Sequence, residues 1–154
     1  MKKILCLLLI VVFLPCLAAT AESWRVFDNC GLFTEQEIEQ LENKILLLYK
    51  QCGVDFAILT TDDFVARNRE AYLEFLYYDL EMGVGQKKSG AIIQMDMKER
   101  YFQIMAFGSV DDAFEKDFDA YTTTVCEYLA KDDYFGAADK AIEMIFDLFQ
   151  GSKE

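Results

Sequence analysis

Two strand-like runs, Ala91–Met95 and Tyr101–Phe107, are separated by five residues, Asp96-Met97-Lys98-Glu99-Arg100. So short a connection is a hairpin, and the two strands must pair antiparallel. Upstream the connections are longer. Trp24–Phe27 reads as a short edge strand, followed by a turn at Asp28-Asn29-Cys30-Gly31 and a helix over Thr34–Lys50. Thr34 is a suitable N-cap, Glu37 three residues later completes a capping box, and Gly53 follows as a stop signal. Ile38, Leu41, Ile45 and Leu48 recur at helical spacing, which turns Glu35, Glu39, Glu42 and Lys44 toward water.

Val54–Thr60 is a mostly apolar and hence central strand. A loop over Thr61–Ala66 leads to a second helix, from Asn68 or Arg69 to Met82, with an apolar stripe of Tyr72, Phe75, Leu76 and Leu80. Gly83–Gly90 reads as a flexible, basic loop. After the hairpin and a turn at Gly108–Asp112, two helices over 113–131 and 134–149 close the chain, the last with a broad apolar face from Ala137 to Phe149. The order is β-α-β-α-β-β-α-α. Helices between strands require crossovers, which places them on the faces of a mixed sheet of about four strands. No repeat or linker divides the chain.

The first residues address the chain rather than fold it. Met1-Lys2-Lys3, the apolar run Ile4–Phe13 and Ala19-Thr20-Ala21 form the three parts of an export signal. Cleavage is expected before Glu22, giving a signal at 1–21 and a single domain at 22–154. The apolar run is shorter than the roughly 20 residues of a comfortable bilayer span. Retention as an anchor, or acylation at Cys16, are the alternatives, and Leu14-Pro15 is a poor lead-in to the second. No later segment is apolar enough to span a membrane, so the mature chain is expected to be extracellular or in the cell envelope.

Loss of Lys2 and Lys3 takes the net charge from −12 to −14. Such a surface repels phosphate backbones and anionic headgroups, which argues against nucleic acid as a partner, and it attracts cations. The chain has no histidine. Ser-His-Asp and Cys-His catalysis and histidine-ligated zinc are thereby excluded, and a metal site would need oxygen ligands, as for Ca²⁺ or Mg²⁺. Three cysteines remain after the signal. Cys30 and Cys52 flank a helix about 25 Å long, too long for a disulfide between its ends. Cys126 falls on the apolar side of a helix and is expected to be buried.

Taken together, several segments resemble the TPM domain family: Val26-Phe27-Asp28-Asn29-Cys30-Gly31-Leu32-Phe33-Thr34 as its opening motif, Gly53–Thr60 as its second strand, the Gly83-Val84-Gly85 loop, and Ser89-Gly90-Ala91-Ile92-Ile93. Glu99-Arg100 with Gln103-Ile104 and Gly108, and Lys131–Ala138, continue the likeness. The resemblance implies a three-layer αβα sandwich, export or membrane association, and an acidic pocket for calcium or another divalent cation. It implies an interaction, assembly or quality-control role at the cell envelope, with a membrane-associated protein as partner. The alternative it carries is a metal-assisted acid phosphatase acting on phosphomonoesters.

Asp28, which ends the first strand and matches the family's motif, is the first candidate cation ligand. Asp62 and Asp63 follow the central strand, and Asp111 and Asp112 follow the last one. Ligands of open α/β sheets sit beyond the carboxyl ends of strands. Against these roles, Asp28 could serve the turn before Thr34, and the others could be solvated or helix-start acids. Arg100 is the candidate phosphate ligand, with a surface ion pair as its alternative role. Two departures from the family bear on catalysis: Lys88 stands where many members carry an aspartate, and Glu99 replaces the aspartate of a D-R pair.

Overall fold

The computed structural model describes residues 24–62, 68–115 and 117–150. The expected export signal, Asp63 and most of the loop before the second helix lie outside them. Four strands form one sheet in the order β1 (Val26–Asp28), β2 (Asp55–Thr61), β3 (Gly90–Asp96), β4 (Tyr101–Phe107). The first three run parallel, and β4 returns antiparallel as the short connection requires. The helices are α1 (Glu35–Cys52), α2 (Arg69–Asp79), α3 (Ser109–Phe114), α4 (Phe118–Leu129) and α5 (Tyr134–Gln150). The mixed three-layer arrangement is the one expected.

Period-two alternation divides the sheet between two cores. Val26, Phe56, Ile58, Ile93, Met95 and Ile104 face a large core shared with α1, α3, α4 and α5. Ala57, Leu59 and Ile92 face a smaller one closed by Leu73, Tyr77 and Met82, from α2 and the turn after it. The crossovers β1-α1-β2 and β2-α2-β3 step the same way across the sheet yet land on opposite faces. They therefore have opposite hands, and one of them breaks the strong right-handed preference of parallel units.

The α1 signals are realised in full. Thr34 and Glu37 form the capping box, and Gly53 takes the left-handed conformation at φ 66°. Glu42, expected to face water, instead accepts the N–H groups of Arg25 and Val26 at 2.7 Å each, satisfying donors of the edge strand. At its start α2 agrees, with Asn68 capping Ala71 at 3.1 Å, but it ends at Asp79 rather than Met82. Glu81 takes φ 52°, and the Met82 N–H closes back on Tyr77 O, which turns Met82 inward. Leu73 and Tyr77 form the buried face of α2, while Tyr72 and Phe75 are exposed. Apolar residues surround this helix, so spacing alone did not fix its inward side.

The segment Gly83–Gly90 is a tight turn rather than a flexible loop. Val84 and Ser89 exchange backbone hydrogen bonds at 3.0 and 2.9 Å, and Tyr77 Oη donates to Lys88 O at 2.8 Å. The helix expected over 113–131 is two helices, α3 starting earlier at Ser109. Val110 and Phe114 serve the sheet core, whereas Tyr121 packs toward α5 and donates to Ala141 O at 3.0 Å. Cys126 is exposed, one position beyond the buried Val125, and not buried as expected. Cys30 and Cys126 are free thiols.

Candidate functional site at the carboxyl edge

β1, β2 and β3 end side by side. Asp28 lies opposite Thr60, and Thr61 lies opposite Asp96, which in turn pairs with Tyr101 at the start of β4. The chain leaving β1 goes to one face and the chain leaving β2 goes to the other. Divergence of neighbouring strand exits is what opens a ligand crevice at the carboxyl edge of an α/β sheet.

On the α1 side of this edge, Asp28 organises the turn. Its carboxylate accepts the Leu32 N–H at 3.0 Å, the Phe33 N–H at 2.9 Å and the Thr60 hydroxyl at 2.7 Å. Thr60 Oγ1 in turn accepts the Cys30 N–H at 3.1 Å. The chain is thus bound into the αL turn at Gly31 and delivered to the Thr34 cap. Burial raises the pKa of the Cys30 thiol; a hydrogen bond with Thr60 opposes this, and the charges of Asp62, Asp28 and Asp96 add to it. Burial first, and these charges after it, hold the thiol above its ordinary value and make it a poor nucleophile.

On the α2 side, Asp96 has no exposed side-chain surface. Arg69 Nη1 donates to one of its oxygens, and the N–H groups of Lys98 and Glu99 donate to the other at 3.1 Å each. Burial would push this carboxyl up; Arg69 and the two backbone donors together outweigh it and hold it below the ordinary carboxylate range. The Arg69 guanidinium also lies 4.9 Å from the centre of the Tyr101 ring. Beneath the hairpin, Met95, Phe102, Leu129 and Tyr134 line a cleft of about 240 Å³.

The expected ligands divide between the two ends of the molecule. Asp28 and Asp62 share the carboxyl edge, Asp62 exposed beyond β2. Asp63 lies outside the described residues. Asp111 and Asp112 belong to α3, which follows the far end of β4. Because β4 runs antiparallel, its carboxyl end is at the opposite edge from Asp28, and Asp112 there pairs with Lys87 at 2.8 Å. Lys88 also stands at that opposite edge, just before β3. Arg100 meets Asp132 at 3.2 Å on the surface, and Tyr134 Oη donates to the same carboxylate at 2.9 Å.

Thr60, Arg69 and Asp96 were not among the candidates. Asp96 was read as part of the hairpin connection. Its signal was available, since it ends a strand following a helical crossover and so belongs to the ligand edge.

These features define an open α/β domain whose strand exits diverge at the edge that carries Asp28, Asp62 and Asp96. The TPM domain model matches residues 26–148, and the chain belongs to that family. Three solved structures share the fold. The N-terminal domain of a P. gingivalis protein is 13% identical over 86% of each chain, with a TM-score of 0.70. The N-terminal domain of a Corynebacterium glutamicum protein is 16% identical over 84% of this chain and 82% of that one, with a TM-score of 0.65. The BA42 protein of Bizionia argentinensis is 14% identical over 76% and 83%, with a TM-score of 0.61. Among curated proteins none matches in sequence.

Proposed function

We propose that this TPM domain is an exported binding module that acts on a protein partner at the cell envelope and takes a divalent cation, Ca²⁺ above all, at its carboxyl edge. The observation that supports this most is that Asp28 and Asp96 end β1 and β3 and Asp62 follows β2, all at the one sheet edge where the strand exits diverge. The donor chemistry suits a hard cation, being carboxylate oxygen without histidine. In number it falls short. Among the described residues no three acidic or cysteine side chains form a metal-holding group, and Asp28 and Asp96 each already accept three hydrogen bonds. Asp62, with a remaining lone pair of Asp28, would hold the ion, and backbone carbonyls and water would complete its shell. Such a site belongs to the weak class of extracellular calcium sites, with Kd of roughly 10⁻⁴–10⁻³ M.

A cation bound only by the native state at about ten times its Kd stabilises by about 1.4 kcal/mol. Thermal melts with Ca²⁺, Mg²⁺ and Mn²⁺ test this. Ca²⁺ should raise the Tm by a few degrees, and Asp62→Asn should abolish the rise while leaving the metal-free Tm nearly unchanged. Coincident melting curves with and without all three ions would refute cation binding. The phosphatase alternative relies on Arg100, whose guanidinium is engaged by Asp132. Metal-dependent turnover of a generic phosphomonoester between about pH 5 and 8, the range over which a phosphoryl group gains its second charge, would restore that alternative.

A further inference from the structure

The face of α2 turned away from the sheet presents aromatic surface to solvent. Phe75 is 63% exposed and Tyr78 53% exposed, a large fraction for such side chains. With Ala71 they follow i, i+4, i+7 spacing, the seam along which one helix receives another. Ala71, Glu74, Phe75, Tyr78 and Asp79 line a shallow depression on this face. Tyr78 is held in place, its ring edge-on to Phe107 at 5.8 Å and to Tyr77 at the same distance, while Tyr77 stacks on Phe107 at 3.8 Å. A held aromatic surface gives contact area with little side-chain entropy to lose.

The rim of the depression decides what can cover it. Glu74 and Asp79 line the depression itself, and along the chain Glu70 and Glu81 flank the seam with no lysine or arginine between them. A second copy would bring a second set of carboxylates against the first, which like-charge repulsion opposes. An anionic lipid surface is opposed for the same reason. We propose that α2 is a docking face for an amphipathic helix of a partner protein, with an apolar stripe laid along Ala71, Phe75 and Tyr78 and lysines or arginines flanking it to meet the acidic rim. This names the chemistry of the partner and rests on the binding-module reading, but not on its cation site.

The probes are synthetic amphipathic helices sharing one leucine stripe, rimmed with lysine in one and glutamate in the other, and a lysine/serine peptide lacking the stripe. Amide shift mapping and anisotropy titrations against the purified protein give the site and the affinity. The lysine-rimmed helix should perturb α2, bind more weakly as salt rises, and lose about tenfold or more in affinity with Phe75→Ala and with the pair Glu74→Lys, Asp79→Lys. The glutamate-rimmed helix should not bind. Circular dichroism confirms that these surface variants stay folded. Equal affinity for the stripe-free peptide, shifts centred elsewhere, or affinity indifferent to these variants would overturn the proposal. So would self-association of the protein that Phe75→Ala abolishes. An unchanged calcium melt would leave it standing.

Discussion

Arg69→Met separates two accounts of the α2 side of the site: a surface decoration, or an ion pair on which the buried edge depends. The methionine keeps an unbranched side chain of similar length and removes the guanidinium, together with its contact over the Tyr101 ring. Asp96 would remain with no exposed side-chain surface and with the backbone donors of Lys98 and Glu99 alone. Removing one partner of a buried pair costs about 3–5 kcal/mol, and the surviving donors place this case near the lower figure, about 3 kcal/mol. For a domain of this size that corresponds to a Tm lower by about 10 °C. The dependence on pH identifies the cause. In the native protein the Asp96 carboxyl is held below its ordinary value, so its contribution is complete above the unfolded-state value and disappears as pH falls through the folded one. In the variant, burial acts without Arg69 and the carboxyl titrates above its ordinary value. Proton uptake by the folded variant then relieves the cost as the medium is acidified. The gap between the two proteins should be widest at neutrality and narrow below about pH 4. Urea unfolding at several pH values measures it. A loss under about 1 kcal/mol, or a gap of constant size from neutral to acid pH, would refute the buried-pair account.

Three further substitutions test the interior and the turn. Gln94 is fully buried, neither of its carboxamide atoms has a hydrogen-bond partner among the described residues, and it lies opposite Gln103; Gln94→Met should stabilise by about 1–2 kcal/mol in urea unfolding, whereas a loss would mean that an internal water satisfies the amide. A Cβ at Gly90 would stand 2.3 Å from Tyr77 Oη and 2.6 Å from Asp55 O; Gly90→Ala should cost about 1–3 kcal/mol or more, and adding Tyr77→Phe should recover part of it. Asp28→Asn replaces the acceptor of two backbone N–H bonds and a hydroxyl bond with an amide, and should lower the Tm through a loss of about 1–3 kcal/mol; an unchanged Tm would leave Asp28 with no role in the turn.

What could be read from the sequence was local. The Thr34–Glu37 box, the Gly53 stop and the hairpin each depend on a few adjacent residues, and each recurs in the structure. Asp28 was found because it ends a strand and sits in the opening motif, and two of its three bonds reach only four and five residues along the chain. Asp96 and Arg69 meet across 27 residues, and Thr60 reaches Asp28 across 32. No spacing encodes such pairs until strand order and face are known. The division of one expected helix into α3 and α4 was hidden differently: Val110, Phe114, Phe118, Tyr121 and Val125 keep helical spacing straight through the break. Asp111 and Asp112 became candidates by applying the strand-end rule to a strand that runs the other way.

The hand of the crossovers connects these outcomes. Two right-handed units stepping in one direction would have laid α1 and α2 on the same face, with the exits of β1 and β2 turning together and no crevice between them. Here the exits part. That divergence places Asp28 and Thr60 on one side of the edge and Asp96 and Arg69 on the other, with Asp62 acting on Cys30 between them. It also leaves α2 as the one described helix on its face of the sheet, with its aromatic seam uncovered. The acidic edge and the open helix face thus follow from a single topological choice.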